Sequence, residues 1–370
     1  MSDPFVFADD LGPAKIVHVH EPGLGLRGTL VVDNVAAGPS IGGLRMSPDA
    51  STEECFRLAR AMTLKNAAAG LPHGGGKSVL RGDPHGPREH KEQLIRAFAC
   101  ALRASQEYIF GPDMGTDETC MAWVHDEIGR AVGLPRELGG IPLDELGATG
   151  FGLRHAAEVA ARHANMSLDG ARVVVQGFGS VGLHAARCLA AEGAVLVGAS
   201  DSRGAVASPH GLDVEALAAL KRAGRSVAEH GEGQRITAQE LVALACEIWI
   251  PAAQPDAIRA EDADRVQARL IVPGANIGVT DEAERRLAAR GVVCLPDFIA
   301  NAGGVICAAM EWSGATQAAA FAAIEERIRA NTQAVLEAAR SRGVRPRQAA
   351  VDLAVERIRR AMQTRRWSIF

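Results

Sequence analysis

The stretch "VVVQGFGSVG", residues 173–182, constrains this chain more than any other. A β-branched run leads into a glycine turn, and "GLHAARCLAAEG" continues from it as a helix. Gly177, Gly179 and Gly182 stand as GxGxxG, with Ser180 and Val181 inside the turn. Glycines at those positions allow a tight turn and let a pyrophosphate approach a helix N-terminus, whose free N–H groups and dipole favour anions. The next strand, "AVLVGASD", ends on Asp201, nineteen residues beyond Gly182. An acidic side chain there accepts hydrogen bonds from ribose hydroxyls and repels a 2′-phosphate, which favours NAD. Arg203 lies two residues on and could pair with that phosphate, so NADP stays open.

The surrounding pattern repeats strand and helix. "TGFGLRHAAEVAARHA" precedes the fingerprint strand, and "EIWIP", "RLIVPG" and "VVCLPD" follow at helical or polar intervals. Such alternation predicts a parallel, doubly wound sheet. With 370 residues the chain exceeds what one core usually supports. The first part mixes strand-like runs ("GTLVVDNV", "EYIFG") with helical ones over Thr52–Ala69, Lys91–Ser105 and Cys120–Val132. From about Ala318 two long helices are expected, broken near Gly343 and Pro346. The expected division is 1–145, 146–335 for the dinucleotide-binding part, and a helical segment 336–370.

Bulk properties narrow the function. A net charge of −4 with no block of like charge argues against nucleic-acid or anionic-membrane partners. No apolar run is long enough for a membrane span, and the acidic "MSDPFVFADDLG" has no basic region ahead of an apolar one. Seven scattered cysteines form no CxxC pair, which fits reduced thiols in a cytoplasm, and the eleven histidines give no metal-binding spacing.

"GLPHGGGKSVL", residues 70–80, invites a phosphate-loop reading and fails it. The pattern needs a glycine at the position of Leu71, and Gly70 misses by one. Upstream, Ser51 and Glu54 suggest a capping box, and Gly70 a helix stop. Cys55, Leu58, Met62 and Ala69 make an apolar stripe on which Lys65 also falls. A lysine on a buried face is costly unless it meets an anion. It either snorkels to solvent, pairs with a buried carboxylate, or binds a substrate carboxylate. Lys77 follows twelve residues later, in a segment read as a glycine loop, and Asp113 lies in "IFGPDMGT", where turn chemistry alone would account for it. Two lysines and an aspartate together suggest a base, since a buried lysine beside a second cation can work near neutral pH.

The blocks "IGGLRMSPDASTEECFRLARAMTLKNAAAGLPHGGGKSV", "YIFGPDMGT", "GATGFG", "VVVQGFGSVG", "SDSRG", "PGAN" and "PDFIANAGGV" resemble the amino-acid dehydrogenase superfamily, whose members act on glutamate, leucine, phenylalanine or valine. The resemblance runs along essentially the whole chain in the family's order. It implies an α/β protein of two domains: an N-terminal substrate and oligomerisation domain and a Rossmann-type domain, with C-terminal helices packing back. It also implies a homo-oligomer, an amino acid or 2-oxo acid and ammonia as reactants, and no metal. By motif, Lys77 matches the catalytic lysine, Asp113 the aspartate that exchanges protons with the amino group, and Lys65 the lysine that binds the α-carboxylate. Gly42 would offer a backbone contact to the amino group, Thr149 and Asn276 match positions near the nicotinamide carboxamide and ribose, and Asn301 is a further cofactor-binding candidate.

Two positions depart from the glutamate-specific pattern. Ile41 stands where those members carry a lysine for the distal carboxylate, and Ala308 where they carry a serine. With Gly111 and Val305 these predict an apolar, roomy pocket, and so an NAD-linked dehydrogenase of an apolar amino acid. A second reading keeps the reaction but assigns glutamate or another polar amino acid, recognised by His73 or Arg45, although His73 is expected to face solvent. A third makes the chain a non-catalytic regulatory paralogue, against which the intact Lys65, Lys77 and Asp113 argue.

Overall fold

The structure is a computed structural model and describes residues 5–364. The first four residues of the acidic N-terminal stretch and the last six of the chain lie outside that range. The chain divides into two compact units. One gathers the described parts of Met1–Leu143, Val305–Phe321 and Val351–Phe370, the other Asp144–Gly304 and Ala322–Ala350. The chain thus passes between units more often than the division read from the sequence, because residues 305–321 group with the first unit and 322–350 with the second.

The first unit is built on β1 (Lys15–Glu21), β2 (Leu26–Asn34), β3 (Ser40–Ser47), α1 (Thr52–Ala68), β4 (Gly74–Arg81), α2 (Arg88–Ala101), β5 (Tyr108–Pro112) and α3 (Glu118–Ile128). Its sheet has the order β1-β2-β4-β3-β5. β1 and β2 run antiparallel, while β3 is parallel to both β4 and β5. One core, with Leu30, Leu80, Phe98, Tyr108 and Phe110, draws on α2 and α3. A smaller one joins Val31 and Val79 to Cys55 and Ala59 of α1.

The GGGK segment is strand, not loop. β4 begins at Gly74, and three neighbours explain its three glycines. A Cβ on Gly74 would lie 1.7 Å from the Asn34 carbonyl oxygen; on Gly75, 2.0 Å from the Thr63 nitrogen of α1; on Gly76, 3.0 Å from the Tyr108 ring. The first two are separations that no side chain tolerates without backbone movement, and the third would press the Tyr108 ring aside. α1 therefore lies directly on bare backbone. Its buried residues are Cys55, Ala59, Thr63, Asn66, Ala67 and Ala68, not the Leu58–Met62 stripe, and Lys65 is half-buried. Small residues mark the contact face because Gly75 lets the helix backbone come down onto the strand, leaving room beside Val79 only for Cys55 and Ala59.

The second unit contains α4 (Ala148–His163), β6 (Arg172–Gln176), α5 (Ser180–Ala191), β7 (Val195–Asp201), β8 (Gly204–Ala207), α6 (Val214–Arg222), β9 (Gln234–Ile236), α7 (Ala238–Val242), β10 (Ile248–Pro251), β11 (Leu270–Ile271), α8 (Asp281–Ala289), β12 (Val293–Cys294) and α9 (Asp297–Ala300). α10 (Gly303–Trp312), α11 (Gln317–Arg342) and α12 (Pro346–Thr364) complete the chain. The sheet order is β12-β11-β10-β6-β7-β8-β9. Its pairings are parallel from β12 to β7, as the alternating pattern predicts, but β8 and β9 extend it antiparallel at one edge. Those strands are short and carry no β-branched run, so periodicity does not reveal them. No helix among the described residues is long and apolar enough to cross a membrane.

Candidate active site

Side chains alternate along a strand, so Lys77 shares its face of β4 with Gly75, the face that α1 covers. Ile41 and Gly43 lie two apart on β3, and Gly43 pairs in register with Gly111 on β5. Asp113 follows β5 and brings its carboxylate to the Lys77 ammonium, forming an ion pair. Gly43 makes this possible: a Cβ there would stand 2.7 Å from the Asp113 Cβ and 3.0 Å from Lys77 Nζ. The sequence reading singled out Gly42 and passed over Gly43, although two adjacent glycines inside a strand signal a close approach.

Asp113 is held on several sides. The Met114 amide donates to Oδ1 at 2.7 Å, and the Asp113 amide donates to Thr116 Oγ1 at 3.0 Å. Burial alone would raise its pKa, but the charges of Lys77 and Arg45 outweigh that and keep it below the usual carboxylate value. Beneath the site lies Tyr108, the one tyrosine of the chain. Its hydroxyl donates to the Gly42 carbonyl at 2.7 Å and meets Ser78 Oγ at 3.1 Å, tying β3 to β4 beside the site. Burial pushes the phenol well above its ordinary pKa, so it remains a donor.

Ile41 and Ala308 are buried, Val305 is half-buried, and a Cβ on Gly111 would meet nothing closer than Val132 Cγ2 at 3.6 Å. Glu311, three residues past Ala308 on α10, accepts from the amides of Leu134 and Ile141 at 3.1 and 2.9 Å, anchoring that helix to the 134–141 segment. His73 does not face solvent. It is 5% exposed, its Nδ1 lies 3.0 Å from the Pro39 carbonyl, and it lines a cavity of about 220 Å³ with Thr63, Leu71 and Arg357. Burial lowers its pKa and favours the neutral ring. Ser51 caps α1 as expected, but Glu54 completes no box; its carboxylate turns instead to Arg45 at 2.7 Å.

In the second unit the fingerprint glycines meet the demands of a dinucleotide turn. Gly177 has φ +100°, and a Cβ there would lie 2.6 Å from Ala253; one on Gly182 would lie 2.0 Å from the Gly177 carbonyl oxygen. A Cβ on Gly179 would meet nothing within 4 Å. That residue is exposed at the start of α5, whose N-terminus no side chain caps. An uncapped helix start over open space fits a pyrophosphate. Ser180 Oγ donates to the Asp144 carbonyl at 2.7 Å, Val181 packs beside Gly274, and Thr149 lies in the first turn of α4. Asn301 Nδ2 donates to Asn276 Oδ1 at 3.0 Å and to the Gly274 carbonyl at 3.2 Å. Its Oδ1 is buried without a hydrogen-bond partner among the described residues, an acceptor suited to a carboxamide N–H.

Asp201 ends β7 as expected, yet its oxygens are already taken. Oδ1 accepts from the Arg203 amide at 2.9 Å and Ser226 Oγ at 2.8 Å; Oδ2 accepts from Lys221 Nζ at 2.9 Å and the Val227 amide at 3.1 Å. That fills the four lone-pair sites of a carboxylate. Burial opposes ionisation, but those donors prevail and lower its pKa to about 2.

Comparison with known proteins finds relatives of both units. The Glu/Leu/Phe/Val dehydrogenase dimerisation-domain model matches residues 13–130, and the Glutamate/Leucine/Phenylalanine/Valine dehydrogenase model matches 139–366. A glutamate dehydrogenase of Aeropyrum pernix is 38% identical over 359 residues, covering 90% of this chain and 85% of that protein. An NAD-specific glutamate dehydrogenase of Staphylococcus aureus is 34% identical, with the same shares covered. Among solved structures, the hetero-hexameric glutamate dehydrogenase of Thermus thermophilus in its leucine-bound form aligns with a TM-score of 0.86 at 30% identity, over 96% of this chain and 91% of that one. L-tryptophan dehydrogenase of Nostoc punctiforme aligns with a TM-score of 0.73 at 26% identity, over 95% and 97%. With both family models matched in order and relatives aligned along most of its length, the chain belongs to the glutamate/leucine/phenylalanine/valine dehydrogenase family and is an NAD(P)-dependent amino-acid dehydrogenase.

Proposed function

We propose that the protein catalyses the reversible oxidative deamination of L-glutamate to 2-oxoglutarate and ammonia. The observation that carries the substrate is the set of glutamate dehydrogenases 34–38% identical to it over about nine-tenths of its length. The bound nicotinamide supplies the hydride acceptor. Lys65 holds the α-carboxylate, and Lys77 removes a proton from the water that attacks the imine carbon. Asp113, ion-paired to Lys77, takes over that proton and passes it to the departing nitrogen. An oligomer follows by likeness to the hexameric Thermus protein. The scattered cysteines fit the cytoplasm as its setting.

A second reading, an apolar amino acid as substrate, is favoured by Ile41 and Ala308. Both are buried and neither can pair with a distal carboxylate. Two missing charge-assisted hydrogen bonds, at roughly 1.5–3 kcal/mol each, would disfavour glutamate by a factor on the order of 10²–10⁴ unless other donors replace them. Measuring kcat/KM for 2-oxoglutarate, 2-oxoisocaproate, phenylpyruvate and pyruvate with ammonia separates the two. Glutamate as substrate requires 2-oxoglutarate to lead the panel; a lead by 2-oxoisocaproate or phenylpyruvate establishes the second reading.

A further inference from the structure

Arg45 stands between two carboxylates and is fully paired with only one. Its Nη1 donates to Glu54 at 2.7 Å. Its other edge faces Asp113: Nη2 lies 3.5 Å from Oδ1 and Nε 3.5 Å from Oδ2. Both separations exceed the roughly 2.7–2.9 Å of a charge-assisted N–H···O bond by under an ångström. Nε is buried and has no hydrogen-bond partner among the described residues. A buried guanidinium N–H left unmade is costly, so an acceptor is expected for it. The acceptor it faces, Asp113 Oδ2, is held by Lys77.

We infer that Arg45 is a positioning residue that takes over the Asp113 carboxylate when Lys77 turns from it to the substrate, with Glu54 aiming the guanidinium. The inference rests on the roles proposed above for Lys77 and Asp113. A lysine that acts as a base must at some point stop being the counter-ion of its neighbour. At that point a buried Asp113 would face an uncharged amine and draw a proton from solvent, leaving it unable to accept the one that Lys77 takes from water. Arg45 cannot lose its charge, and its planar edge matches both carboxylate oxygens. Among the described residues, Lys77 from β4, Arg45 from β3 and the Tyr108 phenol from β5 face Asp113, with Glu54 of α1 behind Arg45. Of the two cations only Arg45 is not itself asked to exchange protons.

The test compares the pH dependence of kcat/KM in the wild type with that of Arg45→Met, Arg45→Lys and Glu54→Gln. Removing the cation raises the pKa of Asp113, so the acid limb of Arg45→Met should move up by about one pH unit or more. Arg45→Lys, which keeps the charge, should leave the limb near its wild-type position with reduced kcat. Glu54→Gln releases Arg45 toward Asp113 and should move the limb down. Carbon-13 titration of the Asp113 carboxyl in cofactor-free protein should show the same two shifts in opposite directions. Should Arg45→Met and wild type share one acid limb and one Asp113 titration, the inference is overturned, whatever the change in Tm. Asp113→Asn and Lys77→Ala serve as controls: full activity in either would instead overturn the roles on which the inference rests.

Discussion

Gly43 and Lys77 are matched so closely that one methyl group would separate the Lys77–Asp113 pair. A Cβ on Gly43 would lie 3.0 Å from Lys77 Nζ and 2.9 Å from the Pro112 carbonyl oxygen, while meeting the Asp113 Cβ at 2.7 Å. Gly43→Ala should therefore displace both groups while the rest of the sheet holds. Overpacking of this kind costs roughly 1–3 kcal/mol, whereas a displacement near 1 Å can cost about 10²-fold in turnover. The variant should unfold as a native-like protein in a thermal scan yet lose at least about a hundredfold in kcat. Wild-type turnover in Gly43→Ala would show that the close approach is not needed for chemistry.

The occupied carboxylate of Asp201 alters the expectation for the cofactor. Its charge is offset by Lys221, and Arg203 is exposed two residues away, so a 2′-phosphate would meet cations as well as an anion. Both NADH and NADPH should bind, and Lys221→Ala should weaken NADPH binding several-fold more than NADH binding. Titration of cofactor fluorescence measures this without turnover. An equal loss for the two cofactors would remove Lys221 from the discrimination.

Asp201 also gives the second unit an acid-sensitive tie. Its pKa in the fold, about 2, lies below the unfolded value of 3.8. The stability it contributes is complete above the unfolded value and disappears as pH falls through the folded one. Chemical denaturation of the wild type should lose stability across that window, and Asp201→Asn should lose less over the same interval. Parallel curves for the two proteins would place the acid sensitivity elsewhere.

What the sequence made legible here was chemistry tied to local pattern. The fingerprint glycines, the strand–helix alternation around them and the isolation of Lys77 and Asp113 all follow from spacing and residue type. What stayed hidden depended on which surfaces meet. Gly74, Gly75 and Gly76 read as a loop because glycine runs usually are loops, but here they let α1, β2 and Tyr108 pack onto one strand. That contact also moves the buried face of α1 from Leu58 and Met62 to Ala59, Thr63 and Asn66, residues no hydrophobicity pattern would select. His73 is buried by its hydrogen bond to Pro39, a partner thirty-four residues away in sequence. Glu54 gave the right cap signal for the wrong reason, since its carboxylate serves Arg45.

Lys77, paired with Asp113, is proposed to perform the proton transfers of an amino-acid dehydrogenase. Lys77→Ala tests it most directly, with NADH binding measured by fluorescence and turnover by NADH oxidation with ammonia and the best 2-oxo acid of the panel. A positioned acid–base group contributes roughly 10²–10⁴-fold, so turnover should fall by that factor while the NADH dissociation constant stays within about twofold of wild type. A variant that binds NADH normally and keeps more than about a tenth of wild-type turnover would contradict the account.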